Sequence, residues 1–129
     1  MGALKQENYS IKNTSIFNNF ELQVMAEKVF KEAIDKANHK KNMDALDLAQ
    51  EALVYANISQ SSLRMNIHKF LGFINFDIGK YNNARIHCYQ AIQVLNVRSK
   101  NYFEEKDYFE KMMALIESKI IPTHLEISK

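Results

Sequence analysis

The sequence predicts an all-α protein built from antiparallel helical hairpins, for three reasons. The 129-residue chain contains only three glycines and one proline, so long stretches of helix-forming residues run without interruption. Ala84 and Ala91 are seven residues apart, which places both on one face of a helix and keeps that face thin. Gly79 stands where a tight turn is expected, because glycine readily adopts the left-handed backbone that often ends a helix.

The first three of five predicted helices occupy the N-terminal part of the chain. Helix one follows an arm of residues 1–17 and begins near Asn18, which forms a capping-box pattern with Glu21. Helix two starts after Asn42 and continues to about residue 56. Helix three opens in the serine-rich cluster 59–62, which offers several candidate caps, and ends at Gly79.

The last two predicted helices complete the domain. Helix four extends from about Tyr81 to Val97. Helix five is introduced by Asn101, whose spacing to Glu104 again has the form of a capping box. It is expected to stop before Pro122, because the residue before a proline disfavours helical geometry. Residues 122–129 would then form a short tail.

The segment from Leu71 to Ala91 carries the most specific pattern, Leu-Gly-x6-Gly-x-Tyr-x-x-Ala-x3-Cys-x-x-Ala. This spacing resembles the tetratricopeptide (TPR) repeat. It departs from that repeat at His68, where a large aromatic is usual, and at Asn96, where a proline is usual. The resemblance implies a right-handed α-solenoid fragment, with TPR-like hairpins forming two repeats and a C-terminal capping helix.

A second, weaker copy of the pattern lies upstream, with Lys40 in place of the turn glycine. Its small residues fall 39 residues before those of the first copy, and they are Ala33, Ala45, Ala49 and Ala52, matching Gly72, Ala84, Cys88 and Ala91. The long period is similar to that of kinesin light chains and Rap-type regulators. The predicted TPR-like domain, residues 18–121, comprises repeat 1 at about 20–57, repeat 2 at about 61–98 and the capping helix at about 101–120.

Catalytic and cofactor chemistry is not expected. Three glycines leave no phosphate-binding loop, and the four histidines lack metal-ligand spacing. We expect Cys88 to be a core thiol and His68 to pack near the hairpin interface. The sequence therefore predicts no enzyme activity, no cofactor and no metal site.

Charge and hydropathy narrow the possible partners and locations. The net charge of +2 is too small to indicate nucleic-acid binding. No apolar run approaches the length of about 20 residues that a membrane span needs, so no membrane insertion is expected. The single cysteine fits a reducing compartment, and neither a signal nor a transit peptide is evident. These features predict an intracellular, cytoplasmic location.

The TPR resemblance implies a partner-binding surface on the inner helix of each repeat. Phe30, Ile34 and Phe70 occupy the positions of a carboxylate clamp, so binding to Hsp70 or Hsp90 tails is not expected. An aromatic-lined concave face would instead accept an apolar helix or segment of a protein partner. The predicted binding residues are Phe30, Ile34, Lys69, Phe70, Phe73, Phe76, Asp77, Tyr108 and Met112. The alternative that the phenylalanines belong to the core stays open.

The predicted function is that of a non-catalytic protein–protein interaction module, acting as an adaptor or structural subunit of a larger assembly. A small TPR-type chaperone for apolar client segments and a peptide-sensing regulator are the alternatives. Arrays of this kind ordinarily need about three repeats, so surplus apolar surface at both ends would also allow a homo-oligomer.

Overall fold

The computed structural model describes the backbone of residues 16–128 and the side chains of residues 16–120. Within this range the chain is all-helical, with five helices and no strand. The helices are α1 (Asn19–Asn38), α2 (Asn42–Ile58), α3 (Arg64–Asp77), α4 (Tyr81–Gln93) and α5 (Tyr102–Ser128). The prediction of an all-α fold is confirmed. The predicted N-terminal arm, up to residue 15, lies outside the described residues.

The chain divides into two compact units, Met1–Ile67 and His68–Lys129. The division falls inside α3, a few residues after the predicted start of the second repeat. The first unit contains α1 and α2, and the second contains most of α3 with α4 and α5.

The first unit is a hairpin in which α1 packs on α2. Asn18 caps α1 through the predicted capping box, since its Oδ1 accepts the Glu21 N–H at 2.8 Å and its own N–H donates to Glu21 Oε1 at 3.0 Å. The core of the hairpin is rich in alanine, which allows two helix backbones to approach closely. The fully buried alanines are Ala26, Ala33, Ala45, Ala49, Ala52 and Ala56.

Three helices end in the same left-handed turn. Lys40, Gln60 and Gly79 have φ angles of +61°, +51° and +84°. In each turn the next residue donates its N–H to the carbonyl five residues earlier, at 2.8 to 2.9 Å, which defines a Schellman motif. The turns at Lys40 and Gly79 are 39 residues apart, the period predicted from the sequence.

The second unit contains the hairpin of α3 and α4, followed by α5. Gly72 permits the close approach of α3 to α4, because a Cβ added there would lie 3.1 Å from Cys88 Sγ and 3.6 Å from the Ala84 carbonyl oxygen. Nearer the turn, the rings of Phe76 and Tyr81 meet edge to face with centroids 5.4 Å apart. The contact moves forward along α3 from Gly72 to Phe76, while on α4 it moves backward from Cys88 to Tyr81. The hairpin is therefore antiparallel.

Helix α5 packs on α4 and contributes two fully buried side chains, Phe109 and Ile116. Ile120 lines a shallow depression with Gly79 to Asn83 at the start of α4. Since the late part of α5 lies beside the beginning of α4, these two helices are also antiparallel. Consequently α3 and α5 run parallel to each other.

Two predicted helix ends near polar clusters differ from the structure. The serine cluster serves two helices. Ser59 terminates α2, where its hydroxyl donates to the Tyr55 carbonyl at 2.9 Å, and Ser61 Oγ accepts the Leu63 N–H at 3.1 Å just before α3 begins at Arg64. Helix α4 ends at Gln93 and does not reach Val97. In the following loop, the side chains of Asn96 and Ser99 each accept the N–H two residues later, at 3.0 and 3.2 Å. Such local bonds compete with helical ones and favour a turn.

The predicted stop before Pro122 was also wrong, because α5 extends to Ser128. Proline removes a single backbone donor, and a helix can continue past that loss. The stretch assigned to a tail is therefore helical in its backbone.

Candidate functional site

The predicted binding residues of the second unit lie on α3 and α5, which are joined by a charged contact. Lys69 Nζ lies 3.3 Å from both carboxylate oxygens of Glu105. The same ammonium group lies 4.4 Å from the ring centroid of Tyr108, a cation–π distance. Two predicted residues, Lys69 and Tyr108, are thus brought together, and the charge of Lys69 is paired within the unit.

The phenol of Tyr108 is half-buried beside this contact. Burial raises the pKa of its phenol, and the nearby Cys88 and Glu105 raise it further. The ring therefore stays neutral at physiological pH. It offers an apolar face and a hydroxyl group rather than a charge.

One side of α3 presents an unusual amount of aromatic surface. Lys69, Phe73, Phe76 and Asp77 share this side, because they are spaced by four, three and one residues along the helix. We call these four residues the α3 face. Phe73 is 53% exposed, whereas its neighbour Ile74 is 1% exposed. Phe76 is half-buried and Asp77 is exposed. Phe70, which follows Lys69 in the sequence, is also half-buried.

The parallel helix α5 extends this surface. Tyr108 and Met112 are half-buried, and Leu115 is 48% exposed. The spacings of four and three residues between them place all three side chains on one side of α5. Because Lys69 touches Tyr108, the next turn of each helix carries Phe73 and Met112. The α3 face and this side of α5 are joined by the contacts of Lys69 with Glu105 and Tyr108, and each carries apolar side chains on the following turn.

The two predicted residues of the first unit differ from each other. Phe30 is only 9% exposed and shares the α1 core with Leu22, Ala26 and Ala33. Very little of its ring is left to contact a partner, so its burial favours the alternative that it belongs to the core. Its four-residue spacing from Ala26 gives the physical reason, since it continues the buried stripe of α1. Ile34 is 39% exposed and remains accessible.

The opposite side of α3 faces α4 and is buried. It carries Asn75, whose Nδ2 donates to the Leu71 carbonyl at 2.8 Å. Cys88 is 1% exposed, and burial raises the pKa of its thiol to about 11, so the expectation of a core thiol is confirmed. His68, 5% exposed, lies at the hairpin interface as predicted.

Sequence reasoning missed the partner of His68. Its Nδ1 lies 3.1 Å from Nδ1 of His87, which is 19 residues away in the chain. Only an approximate signal was present, because an antiparallel pairing of Gly72 with Ala84 and Cys88 places position 68 opposite positions 88 to 92, just beyond His87. The repeat pattern specifies small residues at helix contacts and does not specify the polar residues beside them.

Large apolar side chains are also exposed elsewhere in the described part of the chain. Ile16 and Phe20 in the first unit are 72% and 73% exposed, and Phe103 at the start of α5 is 79% exposed. Among the described residues, no set of three or more His, Cys, Asp or Glu side chains could hold a metal ion. Over the same part of the chain, no helix has the length and apolar character needed to cross a membrane.

Comparison with known proteins does not assign the chain to a family. No family model matches the sequence, and no curated protein or solved structure gives a significant match. The proposed function therefore rests on the exposed residues of α3 and α5 and on their contacts.

Proposed function

We propose that this protein is a non-catalytic interaction module built from TPR-like hairpins, serving as an adaptor or structural subunit of a larger assembly. Its partner would contribute an apolar helix or extended segment that packs against the α3 face and the adjoining side of α5. The observation that carries the proposal is the 53% exposure of Phe73 between buried neighbours on a well-packed helix. Exposed aromatic side chains on rigid elements are typical anchors of protein interfaces.

The TPR-like assignment is supported by the repeated turn and by the small residues. Lys40 and Gly79 occupy equivalent left-handed positions 39 residues apart. The small side chains expected at helix contacts are at most 1% exposed, and Gly72 is also buried. The solenoid arrangement of the two hairpins is part of the proposal.

The charged end of the surface favours an apolar partner over an acidic tail. Lys69 is paired with Glu105 and covers Tyr108, so a carboxylate bound there would have to share the ammonium group with Glu105 or displace it. An apolar segment could instead pack against Phe73 and Met112 and leave the pair intact. The pair would then fix the orientation of the segment.

The test compares two aromatic residues of nearly equal exposure. Phe73→Glu introduces a charge on the α3 face, and Tyr89→Glu introduces the same charge on α4, where Tyr89 is 55% exposed. Affinity-tagged variants are purified from native cells, and the stoichiometry of co-purifying proteins is measured together with helicity by circular dichroism.

We expect Phe73→Glu to lose a stoichiometric partner at unchanged helicity, and Tyr89→Glu to retain it. Retention of the partner by both variants would contradict the proposed surface. Many substoichiometric clients that are lost together would favour the chaperone alternative. A change from dimer to monomer in sedimentation, caused by Phe73→Glu alone, would identify a second copy as the partner.

A further inference from the structure

A row of exposed side chains runs along one side of α1, away from the buried residues of that helix. Its members are alternately four and three residues apart, and this spacing keeps them on one side of a helix. We call this row the α1 stripe, and it consists of Phe20, Val24, Glu27, Lys31, Ile34 and Asn38. The exposed fractions of Phe20, Val24 and Ile34 are 73%, 47% and 39%. Two opposite charges therefore stand at the middle of the stripe, with an exposed aliphatic side chain before and after them.

The order of side chains along the α1 stripe is complementary to itself. Two α1 helices can lie antiparallel with Glu27 opposite Lys31 of the second copy, and two-fold symmetry then places Lys31 opposite Glu27 of that copy. The same register places Val24 opposite Ile34 on either side of the charged pairs. The centre of such a contact would consist of two opposite-charge pairs between two aliphatic pairs.

Other arrangements of the α1 stripe lack this match. A parallel pair in register would place Glu27 opposite Glu27 and Lys31 opposite Lys31, and like charges repel each other. An antiparallel pair shifted by one heptad would place either Val24 opposite Glu27 or Ile34 opposite Lys31, so that an aliphatic side chain would face a charge. The matched register also overlaps the two helices over nearly their full length, because the stripe is centred on the 20-residue helix α1.

Charges beside the α1 stripe oppose the contact and should keep it weak. In the matched register Lys28 lies near Lys28 of the second copy, and Glu21 lies near Asp35 of that copy. These side chains are exposed at the edge of the contact, where water and salt screen like charges. The two central pairs lie between aliphatic side chains and are screened less. We therefore expect a dimer that dissociates on dilution.

We propose that the α1 stripe is a self-association surface through which two copies of this chain pair in antiparallel orientation. A second copy is the occupant because it presents the required charges and aliphatic side chains in the required order. The stripe belongs to the first unit and shares no residue with the α3 face or with α5. The self-association is therefore independent of the proposed function.

The test measures the sedimentation velocity of the full chain over a range of concentrations. Wild type should convert from monomer to dimer as the concentration rises. Glu27→Lys and Lys31→Glu each create like charges in both central pairs, and each should raise the dimer dissociation constant by about tenfold or more. The matched control is Glu32→Lys, which reverses the same charge at an exposed position about 100° around the helix from Lys31. This control should leave the dissociation constant unchanged.

A mixture of the two charge-reversed chains gives a readout that only this pairing predicts. Glu27→Lys chains and Lys31→Glu chains should form a heterodimer with each other, because both central pairs then again join opposite charges. The double variant Glu27→Lys/Lys31→Glu should self-associate like wild type for the same reason. Circular dichroism of every variant checks that helicity is unchanged.

Three results would overturn the proposal. The first is a wild-type chain that stays monomeric at every concentration, and the second is a mixture of the two charge-reversed chains that forms no heterodimer. The third is a monomeric wild type that binds a different co-purifying protein, which both single variants lose. In that case the occupant of the α1 stripe would be that protein and not a second copy.

Discussion

Lys40 provides a sharp test of the hairpin geometry. Its φ of +61° lies in the left-handed region, where the equivalent residue of the second hairpin is Gly79 at +84°. A residue with a Cβ pays about 1–2 kcal/mol for this conformation. Lys40→Gly should relieve that strain. The greater freedom of glycine in the unfolded chain should offset about 0.5–1 kcal/mol of this stabilisation.

The net expectation is that Lys40→Gly stabilises the protein by about 0.5–1 kcal/mol. For a chain of this size the melting temperature should rise by about 2–5 °C. Urea and thermal unfolding, both followed by circular dichroism, would measure the change. Lys40→Ala is the matched control, because it removes the same long side chain and keeps the Cβ that causes the strain.

The reciprocal substitution at Gly79 tests the same backbone strain in the second hairpin. Gly79→Ala should destabilise by about 1 kcal/mol through the backbone alone, because a Cβ at this position meets no atom within 4 Å. If Lys40→Gly were no more stable than Lys40→Ala, backbone strain at position 40 would not explain the turn. Equal stability of Gly79→Ala and wild type would refute the reasoning for both hairpins.

The remaining predictions concern the contact between α3 and α4. Gly72→Ala should destabilise by about 1 kcal/mol, because its new Cβ would lie 3.1 Å from Cys88 Sγ and overpacking outweighs the gain in helix propensity. Combined with Cys88→Ala, the same change should be neutral or stabilising, and an unaltered cost in the double variant would rule out the sulfur as its cause. The Cys88 thiol, with its pKa raised to about 11, should react with an aromatic disulfide at pH 8 far more slowly in the native protein than in urea. Equal rates in the two states would show that the thiol is not protected by folding.

Small residues made the hairpins predictable. Ala33, Ala45, Ala84 and Ala91 were assigned to helix contacts from their spacing, and all four are fully buried. This inference works because two helix backbones can approach closely only where side chains are small. The position of Gly79 is equally informative, since few residues accept its backbone conformation at low cost.

Helix ends were harder to predict, because several local signals compete at each one. Of the serines near residue 60, Ser61 accepts a backbone N–H just before α3, as predicted for a cap, whereas Ser59 ends α2. Gln60 adopts a left-handed φ of +51° without the glycine that would have marked the turn. The side chains at Asn96 and Ser99 stop the chain from returning to a helix after α4. Both cases depend on which backbone group a short polar side chain contacts, and sequence spacing alone does not decide this.

Predicting which phenylalanines are exposed required the contacts of each helix face. On helical spacing alone, Phe30 and Phe73 were both assigned to the inner surface. Phe30 continues a stripe of buried residues on α1, whereas Phe73 is separated from the buried side of α3 by its position around the helix. The template that located the repeat did not distinguish these two environments.

The two sides of α3 carry different chemistry, and this makes folding and binding separable. His68, Gly72 and Asn75 face the hairpin interior, where a change of one atom in size affects the packing of α4. Phe73 and Asp77 are exposed on the α3 face and make a smaller contribution to that packing. Gly72→Ala should therefore destabilise the hairpin through the buried side by the same amount in a Phe73→Glu variant that has lost its partner. If the two changes were instead not additive in the free energy of unfolding, the two sides of α3 would be energetically coupled, and folding and binding would not be separable.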